Sequence, residues 1–185
     1  MRHDLVVLHG WVLGGALLVG SIVALIAFAG MTAQPDAASA KEHRLFSRAL
    51  WGVAALSWLA SLSGAYIAYP WYRAKPPAGT ADLSFYPRSL LLSHPETSWW
   101  HGVGMEWKEH IAWIAPIGLT MLAYVFSHYG SGLARQRAAR SAGLAFLVVS
   151  FISASVAGGF GLLLARKAPV LSAAPTPVHV IGESK

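Results

Sequence analysis

The chain has no cysteine. That absence excludes disulfides, thiolate metal sites, iron–sulfur clusters and covalently attached c-type haem, all of which need cysteine sulfur. Any redox centre here is therefore non-covalent and held by His, Met or carboxylate. Charge is the second scarcity. Asp, Glu, Lys and Arg make up 12% of 185 residues, against about a quarter in soluble domains. No nucleophile elbow, P-loop, dinucleotide fingerprint or pair of catalytic aspartates occurs, which argues against hydrolase and nucleotide chemistry. The apolar runs also lack the mid-span ionised group by which a transporter would bind or couple an ion.

Apolar side chains make up 55% of the chain. They are concentrated in four windows, Leu5 to Ala29, Leu50 to Tyr69, His110 to Tyr129 and Ala142 to Ala165, none of which contains Lys, Arg, Asp or Glu. Each window is close to the roughly 20 residues needed to cross a hydrocarbon core. The pattern predicts an all-α integral membrane protein, a four-transmembrane-helix bundle in a single membrane domain over 1–185, with helices at about 5–29, 41–69, 107–129 and 141–165. The first window follows "MRHD" and ends in "AFAG", like a secretory signal, but its apolar core exceeds the about 15 residues of a signal h-region. A retained helix is expected.

The connectors differ in character. Residues 31–47 are polar, and Ser39 followed by Glu42 has the spacing of a capping box, placing a helix start near Lys41 and His43 inside that helix. Residues 130–141 are short and basic. The stretch 70–106 is long for a loop without structure, yet it holds Trp71, Tyr72, Phe85, Tyr86, Trp99 and Trp100, whereas disordered segments are poor in aromatics. It is expected to be a partly ordered outer cap. The tail 166–185 is rich in Pro and Ala and is expected to be extended. Small residues four apart, Gly10 and Gly14, Ala60 and Gly64, Ala154 and Gly158, Ala157 and Gly161, predict close helix packing in lipid.

The net charge of +6 arises mostly from residues flanking the spans, so it indicates orientation and lipid headgroups and gives no sign of nucleic acid. Lys41, Arg44, Arg48, Arg135, Arg137 and Arg140 crowd the first and third connectors. By the positive-inside rule both termini and the 70–107 loop then lie on the outer side, the periplasm if the membrane is a bacterial inner membrane.

Four histidines fit a geometric reading. His9 lies about a turn inside the first span and His110 begins the third, so both fall at the outer end at similar depth. His43 and His128 fall near the opposite end. His110 and His128 are five turns apart on one helical face, about 27 Å at 1.5 Å per residue, a relation that a kink at Pro116 would disturb. A b-type haem needs imidazoles from two facing helices, apolar walls and small residues beside the porphyrin. His9 with His110 supplies such a site, and His43 with His128 a second. In outline this is similar to the di-haem membrane b-type cytochromes, an analogy at the level of fold.

The stretch "SWWHGVGMEWKEHIAWIAP", residues 98–116, concentrates histidine, glutamate and tryptophan. Its tryptophans, Trp99, Trp100, Trp107 and Trp113, suit an interfacial aromatic belt. His101, Glu106 and His110 form an alternative surface metal set, because imidazole with carboxylate suits zinc, copper or non-haem iron. Two functional classes follow. One is a membrane electron-transfer subunit with haem b, passing electrons between a quinol and a protein partner, and with a quinone site as a further expectation. The other is a cofactor-free accessory or assembly subunit of a larger membrane complex. Both are more in keeping with the sequence than a stand-alone enzyme.

Overall fold

In the computed structural model, residues 2–33 and 39–168 are described. Among them there is no strand. The helices are α1 (Asp4–Met31), α2 (Ala40–Tyr72), the short α3 (Pro87–Leu92), α4 (Pro95–Gly130) and α5 (Arg137–Lys167). All except α3 are long and apolar enough to cross a membrane. The expected extended tail lies, beyond its first three residues, outside the described residues.

α2 begins as its sequence dictates. Glu42 N–H donates to Ser39 Oγ at 3.2 Å, and Ser39 N–H donates to Glu42 Oε2 at 2.6 Å, so two otherwise orphaned backbone donors are satisfied reciprocally. α4 departs from expectation. It starts at Pro95, well before residue 107, with proline in its first turn where a missing N–H costs nothing. The tryptophan-rich half of the supposed cap is therefore a wall of the bundle. The reason is packing on α5: the Phe160 ring lies 6.3 Å from both Trp99 and Trp100 and 6.5 Å from Trp107. Trp99 remains 52% exposed, whereas Trp100 and Trp107 turn partly inward.

α1 packs on α2 and α5, and α4 packs on the same two, so α1 and α4 face each other across the bundle. A core at the end remote from the 73–94 connector is built on Phe28, Phe46 and Phe126, with Phe46 edge-on to Phe126 at 4.9 Å. A smaller cluster of Tyr72, Leu91, Met105 and Leu164 lies at the loop end. Outward faces are apolar as well: Ile26 is 69% exposed. Polar side chains join neighbouring helices. Ser127 Oγ accepts from Ser47 Oγ at 2.7 Å and from Trp51 Nε1 at 2.9 Å, and Trp58 Nε1 donates to Thr120 Oγ1 at 3.0 Å. Before Pro116 the α4 backbone tightens to a 3₁₀ turn over Ile111–Trp113, and Ser153 Oγ of α5 donates to the Ile111 carbonyl at 2.7 Å.

Gly143 marks the tightest apolar approach of α5 to α1. A Cβ there would lie 2.6 Å from Phe28 Cζ and 3.3 Å from Leu122 Cδ1, and Phe28 is fully buried. Gly143→Ala should destabilise the detergent-solubilised protein by about 1–3 kcal/mol through overpacking. Gly52→Ala, whose Cβ meets nothing within 4 Å, should be neutral or stabilising by up to about 1 kcal/mol. Thermal unfolding of the two variants checks this; equal Tm values would contradict the packing described.

Candidate functional site

Between the two apolar clusters, at the loop end, the four long helices border a half-open cavity of about 880 Å³. Its walls carry residues of both clusters, Leu17 and Ala60 from one, Tyr72, Met105 and Leu164 from the other. The space results from a change of backbone register. Three segments adopt π-helical i→i+5 bonding: Leu8–Gly14 in α1, Gly64–Ala68 in α2 and Trp100–Met105 in α4. All three contribute to the cavity wall, through His9, Gly10 and Gly14, through Gly64 and Ala65, and through Met105. A π turn widens a helix and is frequent at functional sites.

The small-residue pairs serve this cavity more than helix contact. Gly14, Ala60, Gly64, Ala154, Gly158 and Gly161 all line it, and a Cβ on Gly10 would meet nothing within 4 Å. Close approach was the expected use of these residues; Gly64 and Gly161 do meet side chains of facing helices, and the group also leaves volume.

His9 is half-buried in the wall. Its Nδ1 lies 2.9 Å from Ser63 Oγ, while the Ser63 hydroxyl donates to the Ala60 carbonyl at 3.0 Å. A hydroxyl has one proton, so with that proton on the Ala60 carbonyl Ser63 accepts from His9, which makes Nδ1 the protonated nitrogen. Gly64 makes room for the ring: a Cβ there would fall 2.9 Å from His9 Cε1. His110 lines the same cavity from the opposite helix. Its Nδ1 donates to the Glu106 carbonyl at 3.1 Å and lies 3.4 Å from the Glu106 carboxylate, each side chain being 68% exposed. The structure thus brings His9 and His110 to one cavity, each with the Nδ1 anchored, as metal-binding imidazoles are when a second group orients the ring.

His43 and His128 are not brought together. His43 stacks on Phe126 at 6.0 Å, and its Nδ1 donates to the Ser39 carbonyl at 3.1 Å. His128 leans on Tyr124 at 4.2 Å and donates to its carbonyl at 3.0 Å. Two residues along an α-helix rotate by about 200°, so the side of α4 that carries Phe126 toward His43 turns His128 away. His43 instead borders a shallow basic pocket of about 230 Å³ with Arg44 and Arg48. The surface metal set is not assembled either. His101 Nδ1 bonds Tyr72 Oη at 2.8 Å, and among the described residues no three His, Asp or Glu side chains gather closely enough to hold a metal ion.

Sequence reasoning missed Ser63 and Lys108, and took Gly64 only as a helix-packing residue and Tyr72 only as an aromatic of the 70–106 stretch. Lys108 enters the cavity wall, where its Nζ would lie 3.0 Å from a Cβ on Gly161 of α5. Its only sequence signal was a cation two residues ahead of an uncharged run. At the rim, Arg73 donates to Tyr69 Oη, with its guanidinium carbon 5.2 Å from that ring's centroid.

Compared with protein-family models, curated proteins and solved structures, the chain gives no match.

Nitrogen-15 NMR of histidine-labelled apoprotein reads the tautomer directly. His9 should report Nδ1–H, and Ser63→Ala should convert it to a tautomer mixture by removing the acceptor. A dominant Nε2–H form in the unsubstituted protein would contradict the bonding described.

Proposed function

We propose that the protein is a membrane-embedded electron-transfer subunit that holds one haem b in the loop-end cavity through His9 and His110. The observation that carries this reading is the cavity itself: about 880 Å³, apolar, flanked by three π-helical segments, with two imidazoles on facing helices, each held at its Nδ1. The size lies within the range of cofactor pockets, about 300–1,000 Å³. The donor set suits haem iron, and the glycines around His9 and along α5 leave the flat clearance that a porphyrin edge needs.

The haem would supply one-electron transfer at its iron. The chain's own residues would do the rest. Ser63 fixes the His9 ring and its tautomer, while the Glu106 carbonyl and carboxylate do the same for His110. Apolar walls from Leu17, Met105 and Leu164 exclude water and so set the local dielectric. In this reading the four long helices span the bilayer, the 73–94 connector faces the periplasm of a bacterial inner membrane, and electrons pass between a quinol and a partner subunit at the exposed aromatic surface around Trp99.

Absorption spectroscopy of detergent-purified protein tests the proposal. A Soret band with sharp reduced α-bands is expected, lost in His9→Ala and broadened or shifted to high spin in His110→Ala. A colourless protein that is correctly folded and membrane-inserted would remove the haem reading in favour of an accessory subunit of a larger complex.

A further inference from the structure

Lys108 carries its amine into an apolar-lined cavity. Its Nζ projects across from α4 to the small-residue face of α5, close enough to Gly161 that a methyl group there would lie only 3.0 Å away. Lys108 makes no hydrogen bond or ion pair among the described residues. Glu109 lines the same cavity but is the next residue in the chain, about 100° around the helix, and is not within ion-pair distance. The nearer polar lining is His9, whose imidazole presents no negative charge. An unpaired ammonium ion removed from bulk water is unfavourable unless an anion meets it.

We infer that Lys108 is the recognition group for a carboxylate on the ligand of the loop-end cavity, so that the site takes a large apolar molecule with an acidic substituent. The inference deepens the haem reading, because a porphyrin carries carboxylates on an apolar ring. The same chemistry has a second source, a free fatty acid, whose acyl chain would lie along the glycine- and alanine-lined wall of α5. A lysine amine suits a single carboxylate as a point charge. Gly161 leaves room for the amine: a Cβ there would lie 3.0 Å from it, and the end of the lysine side chain would have to give way.

The test varies the ligand's charge as well as the protein. Detergent-solubilised full-length apoprotein is titrated with haemin and with haemin dimethyl ester, and separately with oleate and methyl oleate, in the unsubstituted protein, Lys108→Met and Lys108→Arg. A charge-assisted pair is worth about one order of magnitude or more in affinity. Haemin should therefore bind about tenfold or more tightly than its diester, Lys108→Met should abolish most of that preference, and Lys108→Arg should keep much of it. The ester comparison in the unsubstituted protein is independent of whether Lys108→Met folds. Preference for oleate over its ester, without haemin binding, would uphold Lys108 as the carboxylate group and remove the haem reading. Haemin binding with equal affinity for acid and ester would leave the haem reading intact and overturn the role of Lys108. Failure of all four probes to bind would overturn both.

Discussion

Four helices this long and apolar have to satisfy nearly every backbone N–H and C=O within the fold, and the rest of this structure depends on how that constraint is met at the loop end. Opening a cavity among helices by unwinding them would strand polar groups. Here the helices change hydrogen-bond register and remain hydrogen-bonded: π turns at Leu8–Gly14, Gly64–Ala68 and Trp100–Met105 widen three of the four walls at one level. The tightened turn at Ile111–Trp113 is the complementary adjustment on α4, and Ser153 of α5 supplies a donor to one of its carbonyls. The cavity is thus a product of backbone bonding, and the small side chains around it preserve the volume that the register change creates.

The same economy holds for the side chains. Ser63 uses its one proton on its own helix and offers its oxygen to His9, so a local serine bond determines the tautomer of a residue on another helix. Glycine at position 64 fits this arrangement, because a Cβ there would fall 2.9 Å from the ring that Ser63 holds and one of the two would have to shift. At the far end the aromatic core of Phe28, Phe46 and Phe126 anchors α1, α2 and α4 together, while the loop end opens into the cavity.

Local patterns were legible in the sequence. The four apolar windows correspond to the four long helices, Ser39 and Glu42 form the capping box their spacing implies, and Glu106 is the polar neighbour of His110. His9 stood out because an ionisable group inside an apolar run has few reasons to be there. What was hidden depends on distant packing. The start of α4 at Pro95 follows from the docking of Trp99, Trp100 and Trp107 on Phe160, some sixty residues away, and no period within 70–106 encodes it. The separation of His43 from His128 follows from which face of α4 meets α2. Lys108 read as one more interfacial cation because its burial against Gly161 is decided by α5. The π register leaves no trace in an apolar periodicity built on 3.6 residues per turn.

The central claim is that the loop-end cavity is a cofactor site organised by His9. Native mass spectrometry of the full-length protein released from detergent tests it most directly. The account predicts one iron protoporphyrin retained per chain and lost when His9 is replaced by alanine; a bare polypeptide mass from haem-replete, correctly folded protein would contradict it.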